Sequence, residues 1–213
     1  MSQRDYGQSC SVASFLDRFS SRWTLLIVRD LLVAPRRFSE LLNGLPGIGT
    51  NLLSERLREL QALGVVTHGA DALNGAPVYT LTDKGRELEP VVLAMASWGL
   101  RHLRKDGIGK ISRPDLLVVA FRAAFRPEHA RKVIEQYEFR IDGVSVSLAV
   151  DDGVLTTRLG GAEHPAFIFI SDSGTFEDIV AGRTDEKRAA ARGLLDIVGD
   201  ARAYARCKRM FGR

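Results

Sequence analysis

The sequence is poor in the features that mark membrane proteins, disulfide-bonded secreted proteins and metalloproteins. It has no apolar run of about 18 residues, and its first residues lack the apolar segment of a signal peptide. Its two cysteines, Cys10 and Cys207, and its four histidines are not spaced as metal ligands. A reducing cytoplasm is the simplest location for such a chain. We therefore expect a cytoplasmic protein with no membrane partner, no metal and no other cofactor.

The chain also lacks the residue arrangements that are typical of catalytic sites. Its carboxylates are spread along predicted helices, Gly160-Gly161 is an isolated pair of glycines, and no nucleophile motif is present. We therefore predict that the protein is not an enzyme. The net charge of +4 permits a polyanionic partner but does not require one.

Two helices joined by a tight turn are predicted between residues 36 and 64. Residues 38–42 form the first helix, and Thr50 is the expected N-cap of the second. Leu53, Leu57 and Leu60 follow i, i+4, i+7 spacing and give the second helix one apolar side. The opposite side is polar and comprises Asn51, Ser54, Glu55 and Arg58. Such a helix can lie in a DNA major groove, and the alternative is an ordinary amphipathic surface helix.

The chain around this pair of helices follows the winged-helix order. Residues 11–19 and 23–32 predict two preceding helices, and residues 65–68 and 77–81 predict a β-hairpin that follows. A long helix is then expected from Thr82 to about Leu103. Its apolar positions continue past what a small core needs, which favours a dimer interface over packing against its own chain.

Several sequence blocks in this half resemble the HxlR family of bacterial winged-helix regulators, which are related to the MarR type. The blocks are Cys10-Ser11-Val12, Arg22-Trp23-Thr24-Leu25-Leu26-Ile27, Pro35-Arg36-Arg37-Phe38-Ser39-Glu40-Leu41, Leu53-Ser54-Glu55-Arg56-Leu57-Arg58-Glu59-Leu60 and Tyr79-Thr80-Leu81-Thr82-Asp83-Lys84-Gly85. The resemblance implies a homodimer on operator DNA, with the first and last helices of the domain at the interface. The residues expected at this interface are Phe15, Leu88, Val92, Met95 and Trp98.

The expected DNA contacts divide into phosphate and base contacts. We assign Arg36 and Arg37 to the phosphate backbone, and Asn51, Ser54 and Arg58 to base edges. The full predicted set is Arg36, Arg37, Thr50, Asn51, Ser54, Arg56, Arg58 and Lys84. Arg56 lies nearer the buried side of the helix, and its alternative role is to brace the domain instead of contacting DNA. The loop of the predicted wing, residues 69–76, has no Lys or Arg, so its phosphate contacts should be weak.

The second half of the chain predicts a separate α+β domain. Residues 1–104 form the winged-helix domain, residues 105–113 a charged linker, and residues 114–213 the second domain. Helices are expected at residues 114–125, from Pro127, from an N-cap at Thr175, and at residues 201–211. Alternating and apolar runs around residues 133–159, 166–170 and 193–198 predict a small, largely antiparallel sheet.

The order of these elements resembles the sterol carrier protein family. The similar pieces are the strand pair around Asp151-Asp152-Gly153, the helix of residues 176–181 before Gly182, and residues 193–200 before the final helix. The resemblance implies an apolar tunnel for a fatty, sterol-like or aromatic ligand. The candidate lining residues are Phe121, Phe125, Phe167, Phe169, Ile197 and Phe211. The alternative for each of them is a place in the ordinary core.

These patterns together predict a homodimeric transcriptional repressor whose second domain senses a small apolar ligand. One alternative is a carrier of apolar ligands that uses its winged helix for protein association. Another is a repressor in which Cys10 senses oxidants, as a cysteine at this position does in some HxlR-type regulators. A nearby Arg22 would favour the reactive thiolate. The opposing expectation for Cys10 is a small buried side chain.

Overall fold

The computed structural model describes residues 6–71, 74–102 and 113–212. The chain divides into two compact units with the boundary between Val92 and Leu93. Residues 105–112 of the predicted linker lie outside the described part. No helix among the described residues is both long enough and apolar enough to cross a membrane.

The first unit contains the predicted helices and hairpin with shifted ends. Its elements are α1 (Ser11–Phe19), α2 (Thr24–Val33), α3 (Phe38–Gly44), α4 (Thr50–Ala62), β1 (Val66–Ala70), β2 (Pro77–Leu81) and α5 (Asp83–Arg86), and α6 (Glu89–His102) begins in it. Gly49, and not the predicted Thr50, is the N-cap of α4. Its backbone is extended, and its carbonyl oxygen accepts the Leu53 N–H at 2.9 Å.

The long helix predicted from Thr82 is two helices, so that prediction was wrong. α5 ends at Arg86 and α6 begins at Glu89. Pro90 explains the break, because it has no N–H to donate to the carbonyl of Arg86 and its ring would crowd that carbonyl. The Thr82 hydroxyl caps α5 by accepting the Gly85 N–H at 3.1 Å. The predicted end at Leu103 lies outside the described residues.

The hairpin is tied to the segment before α3. β1 and β2 pair antiparallel, from Val66 opposite Leu81 to Ala70 opposite Pro77. Arg36 forms an isolated bridge to Tyr79, with N–H to carbonyl distances of 3.0 and 2.8 Å in the two directions. The backbone therefore links the start of the helix-turn-helix to the hairpin.

The second unit is a five-stranded sheet with helices, as the sequence predicts at this level. Its elements are α7 (Leu117–Ala124), β3 (Ile134–Ile141), β4 (Val144–Asp151), β5 (Val154–Leu159), β6 (Pro165–Ser171), α8 (Ser173–Ala181), α9 (Glu186–Ala191), β7 (Leu195–Gly199) and α10 (Ala201–Met210). The strand order is β5-β4-β3-β6-β7, in which β3 and β6 are parallel and the other neighbours antiparallel. Short 3-10 turns at Pro114–Leu116 and Pro127–His129 stand where helical turns were predicted.

Two helix starts in this unit differ from the predictions. Asp172, and not Thr175, is the N-cap of α8, because its Oδ1 accepts the Thr175 N–H at 2.8 Å and its Oδ2 accepts the Thr175 hydroxyl at 2.6 Å. Helix α9 was not predicted, and its N-cap Asp185 accepts the Arg188 N–H at 2.8 Å. Both starts use the short acidic side chain that best satisfies the first free N–H groups of a helix.

One face of the sheet forms an aromatic core. Tyr137, Phe139, Phe167 and Phe169 are at most 5% exposed. Helices α7, α8 and α10 contribute Phe121, Phe176 and Tyr204 to the same cluster. These rings bury a large apolar area, which stabilises the unit.

Candidate nucleic-acid interface

Helix α4 presents a short polar stripe to solvent. Asn51 and Arg58 are exposed and Ser54 is half-buried, and their spacing places them on one side of the helix. The Ser54 hydroxyl donates to the Thr50 carbonyl at 2.9 Å, and the Arg58 Nε donates to the Ser54 carbonyl at 3.3 Å. The Arg58 stem is thus held along the helix, and the guanidinium lies at the surface beside the other two side chains.

The opposite side of α4 is fully packed. Leu53, Leu57 and Leu60 are at most 1% exposed. Burying three leucines fixes the rotation of the helix about its axis, because any rotation would expose one of them at a cost of about 1.5–3 kcal/mol. The polar stripe is therefore held outward by the core.

Arg56 occupies a different environment from the other predicted contacts. It is 9% exposed and forms ion pairs with Glu55, at 3.2 Å, and with Glu59. These contacts favour its alternative role of bracing α4, and they leave little of its guanidinium for a partner. Lys84 also contacts α4, since its Nζ donates to the Leu63 carbonyl at 2.8 Å. A cation at this helix C-terminus stabilises the free carbonyls.

Arg36 and Arg37 differ in exposure. Arg37 is exposed and is the N-cap of α3, where its backbone N–H donates to Glu40 Oε2 at 2.6 Å. Arg36 is half-buried and bridges to Tyr79 through its backbone. Of the pair, Arg37 is the better placed for a phosphate contact.

The hairpin loop carries an acidic side chain and no basic one. Asp71 Oδ1 accepts the Asn74 N–H at 3.2 Å, and the Asp71 backbone N–H donates to the Ala76 carbonyl at 2.7 Å. Residues 72–73 lie outside the described part. The side chain of Asp71 holds Asn74 and would repel a phosphate group.

The residues expected at a dimer interface separate into two groups. Met95 and Trp98 are 55% and 54% exposed, whereas Phe15 and Leu88 are half-buried. Val92 is 6% exposed and packs within the chain, so its assignment to the interface is corrected. Three apolar residues that were not among those predicted are also exposed, namely Val12 and Leu16 on α1 and Val91 on α6. The apolar spacing of α1 was the available signal for Val12 and Leu16.

Cys10 is exposed and lies at the N-cap of α1. The backbone N–H groups of Ala13 and Val12 lower the pKa of its thiol, because they stabilise the thiolate. Neither the expected burial nor the expected effect of Arg22 is found, and the Arg22 guanidinium lies over the Trp23 ring at 4.8 Å. Burial raises the pKa of the other thiol, Cys207.

The predicted ligand-lining residues of the second unit lie in or beside the aromatic core. The Phe121 ring is 5.2 Å from that of Phe211, which is 5.7 Å from that of Phe125. The Phe169 ring lies 5.4 Å from that of Phe139 at a tilt of 31°, and Phe169 pairs with Ile197 on the neighbouring strand. Phe167 is fully buried. The rings occupy the space between one another, so a ligand would have to displace some of them.

Comparison with known proteins agrees with the first unit's fold. A family model described as HxlR-like helix-turn-helix matches residues 19–107. The HTH-type transcriptional regulator YvaP of Bacillus subtilis is 43% identical over 86 residues, which cover 39% of this chain and 78% of that protein. The HTH-type transcriptional regulator sll1512 of Synechocystis is 34% identical over 103 residues, which cover 47% of this chain and 75% of that protein.

Two solved structures each match less than half of this chain. The redox regulator HypR in its reduced form is 31% identical with a TM-score of 0.40, and the match covers 46% of this chain and 100% of HypR. The sec-alkylsulfatase Pisa1 from Pseudomonas is 17% identical with a TM-score of 0.43, and the match covers 47% of this chain and 16% of the sulfatase. Both TM-scores are below 0.5, so neither structure is evidence about function.

Proposed function

We propose that this chain, which belongs to the HxlR-like helix-turn-helix family of DNA-binding transcriptional regulators, is a repressor. In this proposal it acts as a homodimer and reads an operator through α4. The observation that carries this proposal is the polar stripe of Asn51, Ser54 and Arg58. Asn51 and Arg58 are exposed and Ser54 is half-buried, and buried leucines on the other side of α4 hold the stripe in place. A helix of this kind fits a major groove with its polar side toward the bases.

Within this proposal the side chains have distinct roles. Arg58 donates to guanine and Asn51 bonds to adenine, since these are the bases whose major-groove edges match their hydrogen-bonding groups. Arg37, with Arg36 behind it, contacts phosphate. Thr50 and Ser54 line the same surface, whereas Arg56 and Lys84 position the helix. Because residues 69–76 contain no Lys or Arg, α4 and Arg37 contribute more to the DNA affinity than this hairpin loop does.

The homodimer follows from the need for two recognition helices about one DNA turn apart. Its support is exposed apolar side chains on each of two helices, Val12 and Leu16 on α1 and, separately, Met95 and Trp98 on α6. Apolar side chains with this exposure are typical of surfaces that a partner covers. Phe15 lies on α1 and Leu88 directly precedes α6. Both are half-buried, and we include them in the proposed interface.

We further propose that the second domain, residues 114–213, is of the sterol carrier type and senses a small apolar ligand. Its support is the aromatic core of the five-stranded sheet, to which Phe121, Phe125, Phe167, Phe169, Ile197 and Phe211 contribute. Because these rings are packed against each other, ligand entry requires a rearrangement. A ligand regulates DNA binding only if it binds the two states of the regulator unequally.

Footprinting of the full chain on the DNA upstream of its own gene tests the proposed function. A repressor protects a pseudo-palindromic site that overlaps the promoter, and the protection weakens steeply with salt because phosphate contacts release counterions. Arg192→Ala, an exposed arginine of the second unit, serves as the control and should leave the footprint unchanged. Absence of any protected site at low salt would favour the alternative of an apolar-ligand carrier.

A second candidate function, oxidant sensing through Cys10, is favoured by the exposure and lowered pKa of that thiol. The test is release of DNA after treatment with a mild oxidant. Wild type and Cys207→Ala should respond alike, because Cys207 is buried, and Cys10→Ser should not respond. An unchanged response in Cys10→Ser would remove this candidate and leave the repressor proposal standing.

A further inference from the structure

The sheet of the second unit has a polar groove on the face opposite the aromatic core. Side chains alternate between the two faces of a strand, so residues paired across strands share a face. One cross-strand row is Glu138, Ser147 and Arg158, and the neighbouring row is Gln136, Ala149 and Thr156. The groove along these rows has a volume of about 270 Å³.

The loop of residues 160–164 forms one wall of the groove. The Ala162 N–H donates to Glu138 Oε2 at 3.3 Å, and the His164 N–H donates to Gln136 Oε1 at 3.4 Å. Gly161 lies so close to the sheet that a Cβ there would be 3.1 Å from Glu138 Oε2. Hydrogen bonds therefore attach this loop to strand β3, and the groove is formed without a ligand.

Glu138 and Arg158, the charged residues of the first row, differ in whether another side chain of the protein pairs with them. Glu138 is 4% exposed, and its Oε1 accepts from Arg140 at 2.8 Å and from the Ser145 hydroxyl at 2.9 Å. Arg158 is exposed, and within the described part of the chain its guanidinium has no polar partner. The negative charge is thus neutralised inside the protein, whereas the positive charge faces the groove.

We propose that this groove binds a small polar molecule through an oxyanion group, carboxylate or phosphate. Arg158 supplies the cation, since its planar fork matches two oxyanion oxygens. The hydroxyls of Ser147 and Thr156 share its face and donate to the same group. The Ser147 hydroxyl donates to the Arg158 carbonyl at 3.4 Å, a long bond that a ligand can replace.

Size and charge narrow the class of ligand. The volume lies below the roughly 300–1,000 Å³ of sites that take drug-sized ligands, so the ligand is small. Ala149 leaves space between Gln136 and Thr156, where the Gln136 amide group can hydrogen-bond the rest of the molecule. Glu163 also lines the groove, and its charge favours one oxyanion group over several. This site is separate from the aromatic core and does not rest on the proposed apolar ligand.

Isothermal titration calorimetry of the full-length protein tests the proposal. The probes are acetate, lactate, L-glutamine and succinate as carboxylates and inorganic phosphate as the other oxyanion, each at millimolar concentration. We expect saturable binding of at least one probe. Arg158→Gln should weaken it at least tenfold, and Ala149→Leu, which fills the groove without changing charge, should also abolish it. Arg131→Gln, an exposed arginine outside the groove, is the matched control.

The outcomes separate the groove from general electrostatic attraction. A preference for the carboxylates or for phosphate identifies which oxyanion the site takes. Equal weakening by Arg131→Gln and Arg158→Gln, or binding that persists in Ala149→Leu, would overturn the proposal. Failure of every probe to bind wild type would overturn it as well. Thermal unfolding of each variant checks that the second unit is folded.

Discussion

Replacing Gly85 by alanine should disrupt the junction between the hairpin and α5. A Cβ at this position would lie 2.1 Å from the Val65 carbonyl oxygen and 3.1 Å from Leu81 Cδ2. The first distance is about 1.3 Å shorter than an ordinary contact, and a backbone atom cannot yield as a flexible side chain can. The start of α5 must therefore move away from β1.

The expected cost follows from the bonds at that junction. The Thr82 N–H donates to the Val65 carbonyl at 3.0 Å, and the Thr82 hydroxyl donates to the Gly64 carbonyl at 2.6 Å. Losing both costs about 1–3 kcal/mol, and overpacking adds about 1–3 kcal/mol. The helix propensity of alanine returns only about 1 kcal/mol. The net loss of unfolding free energy should be about 1–5 kcal/mol, out of a typical total of 5–15 kcal/mol.

Urea unfolding followed by the fluorescence of Trp23, in a Trp98→Phe background that leaves one tryptophan, measures this loss. Gly69→Ala is the matched control, because a Cβ on that residue of β1 meets nothing within 4 Å. The control should unfold within about 0.5 kcal/mol of wild type. A Gly85→Ala variant as stable as the control would refute the reasoning that the close approach to Val65 requires glycine.

Three further predictions concern assembly, acid stability and DNA affinity. Trp98→Arg, which places a charge on the exposed apolar surface of α6, should shift sedimentation from dimer to monomer, and a dimer of unchanged affinity would contradict the proposed interface. Burial raises the pKa of Glu138, but hydrogen bonds from Arg140, Ser145 and Ala162 outweigh it and hold that pKa below its usual range. A lowered folded-state pKa adds stability above the unfolded value, near 4.3, that is lost as pH falls through the folded value. The stability gap between wild type and Glu138→Gln should therefore narrow on acidification, and a constant gap in urea titrations would exclude this linkage. Arg37→Ala should weaken binding to all DNA sequences alike and reduce the salt slope of log K by about 1 per protomer, which anisotropy at several salt concentrations can measure.

Periodicity in the sequence was sufficient to predict the recognition helix. The leucine spacing that places Leu53, Leu57 and Leu60 on one side depends only on the geometry of an α-helix, and the structure confirms that side as buried. Single-residue features were harder to predict. Gly49 rather than Thr50 is the N-cap, since the cap depends on where the preceding turn leaves the chain. The break before α6 could have been predicted from Pro90.

Features that depend on register and tertiary packing could not be derived from one sequence. The polar groove exists because Ser147 pairs with Arg158 and Ala149 with Thr156 across β4 and β5. The Asp142-Gly143 turn, with φ values of 48° and 77°, fixes the register of β3 against β4. Asp-Gly is a hairpin signal from which this turn could have been predicted. The exposure of Cys10 likewise depends on how α1 packs.

The most direct test of the central claim is the ratio of specific to non-specific DNA affinity in Arg58→Ala. The assay is competition between the footprinted operator and a scrambled duplex at fixed salt, with Arg192→Ala as the control. If Arg58 reads a base edge, the variant loses about 1–3 kcal/mol of discrimination while its affinity for scrambled DNA changes little. Equal weakening on both duplexes would contradict the claim that α4 reads the sequence through Arg58.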